Sequence, residues 1–287
     1  MGGAGMTGVA LDRRNLLLLP ALLVLLLLFL GPMAYFFVAS FFKVSLFNLV
    51  PTWNLGNYQK VAGEYGLPIA YTMGISALIA LIATVLGYIV AHVIWRNPGR
   101  WGAFLLGATL LTLFGGYLVK IFAWKTILGR EGIINNTLLA LGLADQPVEI
   151  LLYSPFAVVL VLVSYLLPFT ILPLYGALRA IEPTTLDAAR DLGASPARML
   201  WDAILPRCIP AMLTAFSLSF LVSAGDYVTP RLVGGTRSLM MGNFIESQFG
   251  LRMNIPLGAA MTYSTMVTSL AIIIVVWLVL RAALRPK

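Results

Sequence analysis

The sequence predicts an all-α membrane protein with six transmembrane helices. Hydrophobic residues make up 60% of the 287 residues, charged residues only 10%, and the mean hydropathy is +0.93. An ordinary soluble domain carries roughly 25% charged residues, and so few charges could not solvate the surface of a soluble fold. The apolar residues also fall in runs of about 20, the length that a helix needs to cross a bilayer. A water-soluble enzyme and a disordered chain are therefore excluded.

The first apolar stretch needs separate justification because Arg13 and Arg14 precede a leucine-rich run, as in a signal peptide. The run continues through Phe42, beyond the 7–15 apolar residues that are usual in a signal peptide, so we interpret it as a retained helix. Each later stretch is long enough and apolar enough to form a membrane span. The predicted spans lie near 16–42, 68–95, 101–124, 155–178, 211–228 and 257–280.

The orientation follows from the Lys and Arg residues between the spans. If the N-terminus is cytoplasmic, eleven of the 19 basic residues face the cytoplasm and eight face outward. Basic residues are enriched in cytoplasmic loops, so this bias predicts that both termini are cytoplasmic. The net charge of +8 comes from residues scattered between apolar runs, which favours topology signals and contacts with membrane lipid over nucleic-acid binding.

Two connecting segments have patterns of their own. The stretch between the third and fourth spans is punctuated by Gly129, Gly132 and Gly142, which predicts an outer loop with one short interfacial helix near 134–141. The longest inner loop, 179–207, has the capping residues of two short helices.

In this inner loop, Thr184 or Thr185 is the expected N-cap of the first helix, and Gly193 supplies the left-handed residue that ends it. Ser195-Pro196 begins the second helix as N-cap and first helical residue. Pro206 ends that helix or bends it into the fifth span. The small side chains beside the loop's helix caps favour a docking surface for a partner protein over a solvated connector.

The inner loop resembles the EAA motif of the permease subunits of binding-protein-dependent ABC importers. Asp187-Ala188-Ala189 is followed at the motif's spacing by Gly193 and then by Leu205-Pro206. Aspartate replaces the usual glutamate, and Ala203 takes the usual isoleucine position. The resemblance implies that this loop docks in a cleft of an ATPase, with these coupling residues: Asp187, Ala188, Ala189, Asp191, Gly193 and Ala194.

Two further segments are similar to the spermidine/putrescine permease branch of that family, in its B-type form. They are Ala123-Trp124-Lys125 with the glycines that follow, and Gly225-Asp226-Tyr227-Val228-Thr229-Pro230. This resemblance implies the type I ABC importer permease (MetI-like) fold in a bacterial inner membrane. It also implies three kinds of partner: two copies of an ABC ATPase subunit, a second related permease, and a periplasmic or extracellular substrate-binding protein.

The motifs that the sequence lacks fit a transport subunit without its own ATPase site. There is no Gly-x-x-x-x-Gly-Lys-[Ser/Thr] loop to cradle ATP phosphates and no His-Glu-x-x-His zinc motif. The single cysteine, Cys208, excludes a disulfide framework and a cysteine-based metal cluster. We therefore predict no catalytic residue, no metal and no cofactor in this chain, with ATP and Mg bound by the partner ATPase.

Candidate substrate-facing residues follow from the cost of placing charge in a bilayer. Asp226 is the acid that we assign to the outer half of a span, and its carboxylate suits a polycation. Tyr227 offers a cation–π face, and the further aromatic candidates are Trp124, Tyr117 and Tyr165. The alternative for the aromatic residues is packing or anchoring at the membrane interface. We expect the nearby Lys120 to extend to the outer interface.

We therefore expect a permease subunit that forms half of an inner-membrane pathway for polyamine import. One alternative is an importer of the same class with another cargo, such as an opine, a phosphonate, thiamine or iron. A second alternative is a stand-alone secondary carrier, which the absence of paired intramembrane charges and inverted repeats disfavours.

Overall fold

The computed structural model describes residues 20, 22–45 and 48–283. The basic residues Arg13, Arg14, Arg285 and Lys287 and the start of the first predicted span lie outside these residues. The helices, in chain order, are α1 (Leu22–Ala39), α2 (Gly56–Glu64), α3 (Gly66–Arg96), α4 (Arg100–Phe114), α5 (Tyr117–Leu128), α6 (Ile133–Ala140), α7 (Pro155–Arg179), α8 (Pro183–Asp191), α9 (Pro196–Ala224), α10 (Met241–Phe249) and α11 (Ile255–Ala283).

The described part of the chain has five helices long and apolar enough to cross a membrane. They are α1, α3, α7, α9 and α11, and a sixth span is present if the bent pair formed by α4 and the Tyr117–Ala140 segment counts as one. The predicted helical membrane architecture is confirmed. A short antiparallel hairpin, β1 (Lys43–Ser45) and β2 (Asn48–Val50), follows α1 and was not predicted.

The third predicted span, 101–124, is not one straight helix. It breaks at Gly115 and Gly116, whose backbones are extended, and the two arms meet at 103°. Two consecutive glycines lower the cost of leaving the helix because they lack a Cβ and gain little from helical packing. The break redirects α5, so that its first residue, Tyr117, contacts α7 and the segment after α9.

Three helices form the core. α3 packs closely against both α7 and α9, and α9 packs against α7. At the α3–α7 crossing, Thr170 Oγ1 donates a hydrogen bond to the carbonyl of Ala83 at 3.0 Å. A Cβ at Gly87 would collide with the Thr170 side chain, so glycine is required at this close approach.

A second layer is built on α11, which contacts α1, α2 and α10. The Tyr263 hydroxyl donates to the carbonyl of Met33 at 2.6 Å, and Phe36 meets Phe249 edge to face at 5.6 Å. The buried share of the spanning window falls from 56% in α7 to 6% in α1. The apolar side chains of α1 therefore face away from the protein's own core.

Candidate functional site

An aromatic cluster surrounds a carboxylate in the half of the protein where α5 begins. The Tyr117 and Tyr165 rings are 4.6 Å apart, and Tyr165 lies 5.6 Å from Phe169 one turn further along α7. The Tyr117 hydroxyl shares a 2.6 Å hydrogen bond with Thr229 Oγ1 and lies close to the Asp226 carboxylate. We call these side chains, with Trp124, the outer aromatic cluster, after the orientation that the sequence predicts. It joins α5, α7 and the segment that follows α9.

Asp226 is the buried charge of this cluster. It lies two residues beyond the end of α9, and only 9% of its surface is exposed. Its Oδ1 accepts the backbone N–H of Val228 at 3.0 Å, whereas its Oδ2 is buried and has no hydrogen-bond partner among the described residues. Leaving a buried polar atom unpaired costs about 1–3 kcal/mol, and more when the group is charged. The site can therefore gain free energy by taking up a donor or a cation.

Two further α5 residues complete the cluster. Trp124 donates its indole N–H to Ser164 Oγ at 2.8 Å, which fixes its ring against α7. The Lys120 ammonium lies 5.3 Å from the centroid of the Tyr165 ring, within the range of a cation–π contact. Lys120 is half-buried, and its extension to the outer interface stays a prediction. In this structure, it covers an aromatic face that a bound cation could otherwise use.

Tyr227 points away from the outer aromatic cluster. It is 43% exposed and lines a separate cavity of 510 Å³ between α9, α10 and α11. Glu246 also lines that cavity and is paired with Arg231 at 3.2 Å. The structure thus brings Asp226, Tyr117, Tyr165 and Trp124 together and leaves Tyr227 in a neighbouring groove.

The coupling residues lie on and after α8, at the opposite end of α9. Gly193 is left-handed, with φ +75°, as expected from the sequence. Its N–H bonds to the carbonyl of Arg190 at 2.8 Å, and the Ala194 N–H bonds to that of Ala189 at 3.0 Å. This pair of bonds is a Schellman motif, which satisfies carbonyls that the helix end would leave free.

The two ends of this loop differ in how well they were predicted. Ser195 caps α9 by accepting the N–H of Arg198 at 3.3 Å, as expected. The expected cap by Thr184 or Thr185 is wrong because Pro183 occupies the first helical position, which makes Glu182 the N-cap, without a side-chain hydrogen bond.

α8 presents an open surface. Most of its surface residues are exposed, namely Asp187, Ala188, Asp191 and Gly193. Ala189 and Ala194 are half-buried, and Leu192 is 88% exposed. Asp187 pairs with Arg190 of its own helix at 2.9 Å. Such an exposed pair contributes little to stability, so the Asp187 carboxylate is available to a partner.

α9 links the two candidate sites. It runs from Pro196 to Ala224 as one helix, and a single π turn, Leu200–Ile204, lies just before Pro206. The helix does not end at Pro206, because the π turn places the proline at the start of the next α segment, and a bend there stays a prediction. A helix of 29 residues is about 44 Å long. One continuous helix therefore extends from the coupling segment to the neighbourhood of Asp226.

Sequence reasoning missed several residues at these sites. Thr229 and Ser164 hold Tyr117 and Trp124 through contacts over 112 and 40 residues of chain, which no local pattern reveals. Glu246 was missed because α10 was not predicted, although Glu246 is a second acid beside the C-terminal end of α9. The sequence prediction, which named Asp226 as the acid at this end of the span, was therefore incomplete.

Comparisons with known proteins agree with this architecture. The family model of the binding-protein-dependent transport system inner membrane component matches residues 117–286. The spermidine/putrescine transport system permease protein PotB of Haemophilus influenzae is 32% identical over 207 residues, covering 72% of each chain.

Two solved structures resemble the fold. A bacterial alginate ABC transporter in complex with an alginate pentasaccharide-bound periplasmic protein includes a chain with a TM-score of 0.72 and 16% identity, which covers 91% of each chain. The MetNI methionine ABC transporter in inward-facing conformations includes a chain with a TM-score of 0.51 and 16% identity, covering 76% of this chain and 94% of that one. The fold is that of type I ABC importer permeases.

Proposed function

From the chain's membership of the binding-protein-dependent transport system inner membrane component family, we propose that it forms half of a membrane pathway for polyamines such as spermidine and putrescine. The chain is the permease component of an ABC importer and not its ATPase. The cargo is the part of this function that we propose.

The observation that carries the proposed cargo is the unpaired Oδ2 of Asp226. A buried carboxylate oxygen without a donor favours a cationic ligand, because the ligand's ammonium group supplies both a hydrogen bond and a compensating charge. Tyr117 lies beside this carboxylate and Tyr165 packs on Tyr117 at 4.6 Å, and such aromatic rings suit an alkylammonium chain, whose methylenes pack on them while its nitrogens make cation–π contacts.

The proposed assembly contains two copies of an ABC ATPase subunit, which bind ATP and Mg, and a second related permease subunit that completes the pathway. A substrate-binding protein delivers the cargo on the outer side. In this arrangement both termini and α8 are cytoplasmic, and the outer aromatic cluster opens toward the outside of the bacterial inner membrane.

The proposed mechanism uses α9 as the connection between the ATPase and the cargo. Closing of the ATPase dimer on ATP displaces α8, and the Schellman motif at Gly193 keeps the start of α9 in a fixed relation to it. Because α9 is continuous to Ala224, the displacement reaches the segment that holds Asp226. Coupling requires that the ATPase binds the two states of the permease with different affinity.

The test is uptake of radiolabelled spermidine by cells that express the complete importer with Asp226→Asn. We expect the half-saturating concentration to rise about tenfold to a hundredfold, since a hydrogen bond to a charged group contributes about 1.5–3 kcal/mol. Asp145→Asn is the matched control, because Asp145 is an exposed aspartate of the outer loop. The polyamine assignment fails if both variants take up spermidine as the wild type does.

Two further measurements distinguish the alternative functions. If the companion binding protein retains an opine, a phosphonate, thiamine or iron instead of a polyamine, the chain belongs to an importer of that cargo. If the purified chain alone carries spermidine into vesicles without an ATPase, it is a secondary carrier.

A further inference from the structure

A second cavity lies at the inner end of α3, between α3, α8 and the start of α9. It has a volume of 660 Å³, within the range of about 300–1,000 Å³ that is usual for ligand sites. Arg96 and His92 of α3 and Arg190 of α8 line it. None of the residues that line this cavity is acidic, so the charged groups of its lining are cationic, with Arg190 paired to Asp187 of the same helix at 2.9 Å.

The remaining walls of the cavity are apolar. They are formed by Trp95, Leu186, Pro196, Ala197, Met199, Leu200 and Ile204. A free inorganic anion prefers a site lined with several hydrogen-bond donors, whereas cationic groups above an apolar floor suit a molecule with a charged head and a hydrocarbon part.

His92, which lines the cavity, has a polar atom that is unpartnered in the described part of the chain. Its Nδ1 is buried and has no hydrogen-bond partner within the described residues. The other contacts of its ring are aromatic, with Tyr88 at 5.7 Å and Trp95 at 5.4 Å between ring centroids. A polar group that reached Nδ1 would supply the missing hydrogen bond.

Residue types that favour a membrane interface occur at this cavity and near it in the chain. Trp95 and Arg96 are at the end of α3, and Trp101 and Trp201, in the first turns of α4 and α9, are 76% and 66% exposed. Tryptophan and arginine concentrate where lipid headgroups meet water, and basic pockets between helices on the cytoplasmic side bind anionic lipid headgroups.

We propose that this cavity binds the headgroup of an anionic phospholipid of the inner leaflet. Arg96 and Arg190 contact the phosphate, and His92 bonds a headgroup oxygen. Since Arg96 belongs to α3 and Arg190 to α8, the bound lipid connects the coupling helix to the core and sets the resting position of α8. The assignment of the lipid to the inner leaflet rests on the proposed cytoplasmic position of α8. Lipid binding itself depends on neither the cargo nor transport.

The experiment is native mass spectrometry of the full-length purified chain, incubated with phosphatidylglycerol or with phosphatidylcholine of the same acyl chains. We expect retained phosphatidylglycerol and little phosphatidylcholine. Arg96→Gln and Arg190→Gln should each weaken phosphatidylglycerol binding about fivefold, from the usual contribution of a basic residue near an anionic membrane. Arg100→Gln is the matched control, since Arg100 lies four residues beyond Arg96 and outside the cavity.

Three results would overturn the proposal. Equal loss of lipid in Arg100→Gln would mean that binding follows overall charge, and displacement of the lipid by inorganic phosphate would identify a water-soluble anion as the ligand. Displacement by the purified ATPase subunit would assign the cavity to that protein. A failure of spermidine uptake with intact lipid binding would contradict only the proposed cargo.

Discussion

Replacing Gly193 by alanine tests the coupling segment. Gly193 has φ +75°, and a Cβ added there would meet nothing within 4 Å, so the substitution acts on the backbone alone. For a residue with a Cβ, the left-handed conformation costs roughly 1–2 kcal/mol. If the end of α8 rearranges to avoid this cost, both bonds of the Schellman motif are lost. The native arrangement then falls about 5- to 30-fold in relative population.

Gly142 provides an unusually close control for this change. It is also left-handed, with φ +66°, and has open space around its Cβ position, but it lies in the loop after α6, away from the coupling segment in the chain. Both alanine variants should therefore melt at a temperature about 2–4 °C lower per kcal/mol lost. Only Gly193→Ala should separate ATP hydrolysis from transport.

The assay uses the complete importer in proteoliposomes and measures spermidine uptake and ATP hydrolysis together. We expect the uptake per ATP to fall severalfold in Gly193→Ala and to stay at the wild-type level in Gly142→Ala. Gly193→Asn should recover most of the coupling, since asparagine tolerates the left-handed conformation better than alanine. If folded Gly193→Ala couples as well as the wild type, or if Gly142→Ala uncouples equally, the segment does not transmit force.

Two further changes test the cation site and the orientation. Lys120→Gln frees the Tyr165 ring, and we expect a severalfold lower half-saturating spermidine concentration in uptake assays; Lys125→Gln removes a similar contact elsewhere, at 5.9 Å from an aromatic centroid, and should change nothing. Leu192→Cys and Leu251→Cys create cysteines at sites that are 88% and 85% exposed, and the chain's native cysteine is buried. In intact cells, a membrane-impermeant maleimide should label only the cysteine at position 251. Labelling of the cysteine at position 192 would show that the topology is the opposite of the proposed one.

The sequence predicts well those features that depend on a few neighbouring residues. The left-handed Gly193 and the Ser195-Pro196 helix start follow from local capping chemistry. The long helices follow from runs of apolar residues, since a span of that length has no other stable form in a bilayer.

Features that depend on competition between alternatives were predicted less well. The break at Gly115 and Gly116 was missed because the apolar run continues across it, and hydropathy does not distinguish a straight helix from two arms at 103°. The threonine cap was wrongly predicted because two suitable helix starts lie within three residues. The helix begins at Pro183 and not after Thr184 or Thr185. The grouping of Asp226 with Tyr117 required contacts between distant helices, which only the fold supplies.

Pro206 shows how a locally correct expectation can fail with a functional consequence. A proline within an α-helix removes one hydrogen bond and clashes with the preceding turn, at a cost of about 3 kcal/mol. In α9, the Leu205 N–H reaches back to the carbonyl of Leu200 in a π turn, so Pro206 falls where the following α segment needs no N–H. Arg207 also donates to the Ala203 carbonyl at 2.7 Å. The helix therefore stays continuous beside α8 with one wider turn, and in the proposed mechanism a displacement of α8 is carried along α9 toward Asp226.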